Sequence, residues 1–220
     1  MTIRTIAIDG PAGCGKSTLG KKLAERLDFF FLDTGLLYRA IARHAMNTGV
    51  KFNDEDHIIG YAAHIHVEIK QIRPKFKFEL NAATVTDLYN KQIDMVVPTI
   101  AAYPEIREKV REIQRRIAGE GKIILAGRDI GTVVLPDADL KIYLDVSLDI
   151  RAERRFHAQI KDNRTLEEVK EDLLLRDLKD TTRDVSPMKM ADDAIVICTD
   201  EMQPDEVVEA VLKHIPPDSE

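Results

Sequence analysis

At 220 residues, 44% of them hydrophobic, the chain is long enough and apolar enough to bury a full core. Its 32 lysines and arginines against 38 aspartates and glutamates give a formal charge of −6, which argues against a dedicated nucleic-acid binder and still allows a local basic cleft. Cys14 and Cys198 imply neither a disulfide framework nor a zinc site, and no apolar run approaches the roughly 20 residues of a membrane span, so the cytoplasm is the expected compartment.

The first apolar run, within Thr5–Asp9, predicts a buried strand. It leads directly into Gly10-Pro11-Ala12-Gly13-Cys14-Gly15-Lys16-Ser17-Thr18, a complete GxxxxGK[ST] loop, and then into a helix over Lys16–Leu27. Strand, glycine loop and helix in this order make a phosphate cradle. The glycines let backbone N–H groups converge on phosphate oxygens, and the helix N-terminus adds partial positive charge. Lys16 is placed to reach the β- and γ-phosphates and the Ser17 hydroxyl to hold Mg²⁺, so the loop predicts a nucleoside triphosphate ligand. Cys14 lies within the loop near a helix N-terminus, where a thiolate is favoured, although a small residue filling space explains it as well.

Further strands are predicted at Phe29–Asp33, Lys122–Ala126, Lys141–Asp145 and Ala194–Thr199. Helices are predicted near Leu36–Asn47, Pro104–Ala118, Leu148–Lys161, Thr165–Lys179 and Pro204–His214. The alternation predicts a parallel sheet covered on both faces. One region breaks the rhythm. Residues 65–70 and 75–80 alternate apolar with polar on either side of Arg73-Pro74, which predicts an antiparallel hairpin with one wet face inside a lobe of roughly residues 53–99. Only the last residues, 216–220, read as a frayed tail.

In open α/β sheets ligands bind at the carboxyl ends of the strands. Asp33-Thr34-Gly35 with Arg39, and Gly127-Arg128-Asp129, leave predicted strands at such ends. Asp33 and Asp129 are candidates to orient Mg²⁺ through water or to accept hydrogen bonds from a substrate. Arg39 and Arg128 are candidates to grip a second phosphate with their guanidinium forks. A third cluster runs from Arg151 to Arg183. Within it Arg176, Asp180 and Arg183 suit a flap that brings positive charge to a transferring phosphoryl group, whereas Arg155 and Arg164 suit a solvated helix surface. The histidines show no metal-ligand spacing.

Taken together, these segments resemble the bacterial cytidylate kinases, the (d)CMP kinase branch of the nucleoside monophosphate kinases. The likeness rests on Ile8 to Thr18, Leu32 to Gly35 with Tyr38-Arg39, Ala101 to Pro104 with Arg107, and Gly127 to Val134 continuing into Pro136-Asp137-Ala138. Arg176-Asp177, Asp180, Arg183, Ser186-Pro187 and Ala191 to Ala194 follow in order. The resemblance implies a P-loop NTPase-type α/β fold: a parallel five-stranded sheet flanked by helices, with an inserted monophosphate-binding lobe and a helical lid. One kinase domain would comprise a core of residues 1–52, 100–150 and 185–220, the lobe at about 53–99 and the lid at about 151–184.

It also implies transfer of the γ-phosphate of ATP to CMP or dCMP, with Mg²⁺, by a monomer that binds neither nucleic acid nor membrane. Gly10, Pro11, Ala12, Gly13, Cys14, Gly15, Lys16, Ser17 and Thr18 would bind ATP. Thr34, Arg39, Arg107, Arg128, Asp129, Asp180 and Arg183 would bind the acceptor, with Arg107 and Asp129 reading the cytosine edge and Asp180 the sugar hydroxyls. Lys16, Arg128, Arg176 and Arg183 would be catalytic, and Ser17, with Asp33 through water, would hold the metal. Two acceptor-side positions depart from the family's pattern: Pro98 stands where relatives usually carry a serine, and Leu88-Tyr89 where they usually carry Ile-Arg. Kinases for UMP, dTMP or a non-nucleotide acceptor are the rival readings. A GTP-binding switch is a more distant one, because Asn90-Lys91-Gln92-Ile93-Asp94 places its aspartate one residue too late for guanine recognition.

Overall fold

The chain divides into two compact units, residues 1–31 with 120–220 and residues 32–119; four strands of its five-stranded sheet lie wholly in the first, and the fifth runs across the boundary after residue 31. The structure is a computed structural model that describes residues 2–72, 75–158 and 164–216. The turn expected at Arg73-Pro74, the end of the helix expected to reach Lys161, and residues 217–220 lie outside the described residues.

The strands are β1 (Thr5–Asp9), β2 (Phe30–Asp33), β6 (Ile123–Ala126), β7 (Leu140–Asp145) and β8 (Ile195–Cys198), in the order β2-β6-β1-β7-β8. The pairs β1–β6, β1–β7 and β7–β8 are parallel. Ile6, Ala7 and Ile8 are each 0% exposed, as expected of a central strand with helices over both faces, where no residue can alternate out to water. All five predicted strands are present, with ends shifted by at most one residue.

Helices α1 (Lys16–Leu27) and α8 (Pro204–Leu212) pack together beside the sheet. Leu19, Leu23 and Ala24 join Val207, Val208 and Val211 against Ile6, Ile124 and Leu144 in one apolar cluster. Each fully buried aliphatic side chain there contributes about 1.5–3 kcal/mol of transfer free energy. Helices α6 (Leu148–Ala158) and α7 (Leu166–Thr182) pack as a pair; Thr165 and Glu168 form a reciprocal capping box that fixes the start of α7.

The second unit contains α2 (Gly35–Asn47), α3 (Glu55–His64), the antiparallel sheet β3 (Val67–Ile72), β4 (Lys75–Leu80) and β5 (Ala83–Val85), then α4 (Lys91–Ile100) and α5 (Pro104–Ala118). The expected hairpin is present, with Val67 opposite Leu80 and Ile69 opposite Phe78. Ile65, Val67, Phe78 and Leu80 are buried while His66 and Glu68 are exposed, as a sheet with one wet face requires. The third strand and the helices α3 and α4 were not anticipated. Asp54 caps α3 by accepting from the His57 N–H, and Asn90 caps α4 by accepting from the Ile93 N–H. Asn90 and Asp94 therefore have helical duties, and the segment that faintly resembles a guanine-reading motif is the start of α4. Pro98 lies inside that helix, on an exposed position of its last turns.

Candidate active site

The phosphate-loop sequence folds as a cradle at the carboxyl end of β1. Gly10 cannot be another residue without disturbance, because a Cβ there would lie 2.7 Å from the Leu144 carbonyl oxygen. Gly15 takes φ 101° at the cap of α1, in the left-handed region that side chains disfavour. Lys16 is 9% exposed. Its Nζ donates to the carbonyls of Gly10 at 2.8 Å and Pro11 at 2.7 Å and touches the Cys14 Sγ at 3.3 Å. Ser17 and Thr18 follow in the first turn of α1. Cys14 is 1% exposed, so its side chain fills space beneath the loop.

A second loop of the same unit leaves β6. After Gly127-Arg128-Asp129 the backbone forms a π-helical turn over Ile130–Val134, with N–H groups of Val134 and Leu135 donating five residues back to Asp129 and Ile130 at 3.1 and 2.7 Å. Sequence periodicity gives no signal for such a turn. Asp9, at the end of β1 and next to Gly10, holds it in place: its carboxylate accepts from the Ile130 N–H at 2.9 Å and the Gly131 N–H at 2.7 Å. Gly131 allows this approach, since a Cβ there would meet Lys141 at 3.2 Å and Asp9 at 3.4 Å. Burial pushes the Asp9 carboxyl up to about 6, and the nearby Asp129 charge adds to the rise; the two N–H donors and Lys16 oppose it. Asp9 is thus a buried carboxylate joining the two loops. The segment from Ile8 to Thr18 contains it, yet nothing in the spacing of that segment marks it out.

Arg128, Asp129, Asp180 and Arg183 come together as a charged network. Arg128 Nε donates to Asp180 Oδ2 at 2.8 Å, Arg183 Nη1 to Asp180 Oδ1 at 3.4 Å, and Arg183 Nη2 lies 3.7 Å from Asp129 Oδ2. Arg183 Nε also donates to the Ser186 carbonyl at 2.5 Å. Arg176 is exposed on α7. Arg164 pairs with Asp172 on the surface of the helix pair, the solvated role expected of it. Arg151 instead is buried, bonded to Asp177.

In the second unit, Arg39 on α2 donates to Asp94 Oδ1 at 2.6 Å and to the Leu88 carbonyl at 3.0 Å. Its guanidinium lies over the Tyr89 ring, 5.1 Å from the centroid. Thr34 is 4% exposed at the start of α2, and Asp33 Oδ1 accepts from the Gly35 N–H at 3.1 Å. Arg107 on α5 is 6% exposed, donates to the Ala101 carbonyl at 3.1 Å and lies over the Tyr38 ring at 5.7 Å. Arginines that are this deeply buried and hold fixed donor directions suit planar or bidentate recognition.

Among the described residues, no group of three or more His, Cys, Asp or Glu side chains could hold a metal ion by itself. No helix among the described residues is long and apolar enough to cross a membrane.

Residues 6–217 match the sequence model of the family described as Cytidylate kinase. The chain is 42% identical over 209 residues to a cytidylate kinase of Desulfitobacterium hafniense, spanning 94% of this chain and 90% of that one. It is 41% identical over 219 residues to a cytidylate kinase of Lactobacillus johnsonii, spanning 96% and 93%. Among solved structures, a shikimate kinase from Bacteroides thetaiotaomicron is similar with TM-score 0.51 at 14% identity, over 96% of this chain and 97% of that one. An uncharacterized protein from Eubacterium ventriosum is similar with TM-score 0.54 at 15% identity, over 98% of each chain. At these identities the structural likeness concerns the fold alone.

Proposed function

The chain belongs to the cytidylate kinase family, and from that premise we propose that it transfers the γ-phosphate of ATP to CMP or dCMP, giving ADP and CDP or dCDP. The observation that carries the reading is the formed phosphate loop, joined through Asp9 to a loop bearing Arg128 and Asp129.

In this reading residues 10–18 bind the ATP phosphates, and Lys16 exchanges its loop carbonyls for β- and γ-oxygens. Mg²⁺ would be held by the Ser17 hydroxyl, with Asp33 assigned a contact through water, and would supply positive charge to the phosphates. Thr34, Arg39, Arg107, Arg128, Asp129, Asp180 and Arg183 are assigned to the acceptor. The Asp129 carboxylate accepts from the exocyclic amine of cytosine, and the Arg107 guanidinium donates to ring acceptors. Asp180 accepts from the sugar hydroxyls. Arg128, Arg176 and Arg183 gather charge on the phosphoryl oxygens as the bond to the leaving oxygen lengthens. The acceptor's phosphate oxygen is ionised at pH 7 and attacks without a general base, so the protein's contribution is positioning and charge stabilisation. A monomer in the cytoplasm completes the reading.

Pro98 and Tyr89 bear on acceptor preference, since both stand on the acceptor side of the family's pattern. The Arg39 guanidinium lies over the Tyr89 ring, which therefore backs the side chain assigned to the acceptor phosphate. Pro98 offers no donor in a position where relatives usually carry a hydroxyl.

The test is ATP-dependent ADP release with Mg²⁺ across CMP, dCMP, UMP, AMP, GMP, dTMP and no acceptor. Turnover with CMP and dCMP, little with UMP, and almost none without acceptor is the expected pattern. Preference for another acceptor would overturn the base assignment, and hydrolysis independent of acceptor would overturn the kinase reading itself.

A further inference from the structure

One buried ion pair has no part in the reading above. Asp177 follows Arg176 on α7 and reaches back to the phosphate loop, where its Oδ1 accepts from the Ala12 N–H at 3.0 Å. Its Oδ2 accepts from Arg151 Nη1 of α6 at 2.5 Å. The same Arg151 Nη1 donates to the Ala12 carbonyl at 3.0 Å, and Arg151 Nε donates to the Val146 carbonyl at 3.1 Å. One side-chain pair therefore holds both polar backbone groups of Ala12, in the middle of the loop. The side chains are only 7% and 15% exposed.

The surroundings support a fixed arrangement. Ala12 packs with Ala152, Val169 and Leu173 in a small apolar cluster shared with α6 and α7. A Cβ on Gly13 would lie 3.6 Å from both Arg151 and Leu173. A buried ion pair is a poor way to gain stability, because desolvation offsets most of its attraction. What it does supply is direction: a bracket with two donors and two acceptors permits one orientation of the Ala12 backbone. Converging N–H groups act on phosphate only when their orientation is set beforehand.

We propose that Asp177 and Arg151 are positioning residues for the phosphate donor, fixing the Ala12 backbone in the loop and holding Arg176 in register with it. The proposal rests on the reading of residues 10–18 as the ATP site. Neither residue touches the reacting atoms; both act through Ala12. Asp177→Asn keeps an acceptor for the Ala12 N–H and replaces the acceptor for Arg151 with a donor. The paired variant Arg151→Met with Asp177→Leu removes both charges, so that neither is left buried alone.

The experiment measures ATP binding to the intact protein by calorimetry with Mg²⁺, together with kcat, the KM for CMP and the melting temperature. Asp177→Asn is expected to weaken ATP binding about tenfold, the scale of a lost positioning contact, and to lower kcat while the KM for CMP changes less than about twofold. The paired variant is expected to regain melting temperature without regaining ATP affinity, a split that a purely structural role would not produce. ATP affinity within about twofold of the parent in either folded variant, or equal weakening of ATP and CMP, would overturn the proposal. A parent protein that binds no ATP would overturn the donor reading along with it.

Discussion

Arg128 and Asp180, 52 residues apart in sequence, meet through a 2.8 Å hydrogen bond from Nε to Oδ2. Asp180 also receives Arg183, and Arg183 approaches Asp129, so four residues that the motifs single out separately form one charged network. The arginines are thereby held in preset directions by carboxylates. A guanidinium in such a site is not replaceable by an ammonium, because the fork supplies direction as well as charge. Arg128→Lys is expected to lower kcat/KM for CMP by roughly 10²–10³-fold, the usual cost of one lost oxyanion donor, and to move the KM for ATP far less. Steady-state kinetics with each substrate varied in turn checks this.

The Asp9 carboxyl gives stability a pH dependence of definite sign. Its value of about 6 in the fold lies above the ordinary 3.8, so the folded protein binds the proton more tightly than the unfolded chain. The resulting stability is fully present below pH ~4 and is lost as pH rises through ~6, amounting to about 3 kcal/mol for a shift of this size. The nearby Asp129 charge raises the Asp9 value further and the Lys16 charge lowers it. Urea unfolding of the parent and Asp9→Asn between pH 4.5 and 7.5 reads the effect. The stability difference between them is expected to move in favour of the asparagine variant as pH rises, by about 2 kcal/mol between pH 4.5 and 7.5.

Gly20, inside α1, sets propensity against packing. Alanine there would gain about 1 kcal/mol of helix propensity over glycine. Its Cβ, however, would fall 2.1 Å from the Phe31 ring, so the ring or the helix must shift. Overpacking of this kind costs about 1–3 kcal/mol, so the packing cost outweighs the gain in propensity. Gly20→Ala is expected to lower the denaturation midpoint, and a higher midpoint would show that Phe31 moves aside at little cost.

The sheet was legible in the sequence because each strand is a short apolar run bounded by turn residues, and α1 and α5 because their apolar periodicity is helical; Pro104 opens α5 as expected. Region 53–99 was legible only as a hairpin. Asp54 with Glu55 and Asp56 is a sound cap signal for α3, whereas α4 contains Pro98, a residue that weakens any helix signal. The glycine loop was legible because its glycines have a local purpose. Asp9 and the Asp177–Arg151 pair were not, because their roles exist only through contacts 121 to 165 residues away in sequence. The π-helical turn after Asp129 has no periodic signature at all, and its cause is the distant Asp9 carboxylate.

The most direct test of the central claim follows the phosphoryl group itself. ATP labelled at the γ-phosphate is incubated with the protein, Mg²⁺ and CMP, and the labelled products are separated. Transfer to the acceptor places the label in CDP, with labelled orthophosphate at the level of a control without protein. Label appearing as orthophosphate at the same rate with and without CMP would contradict it.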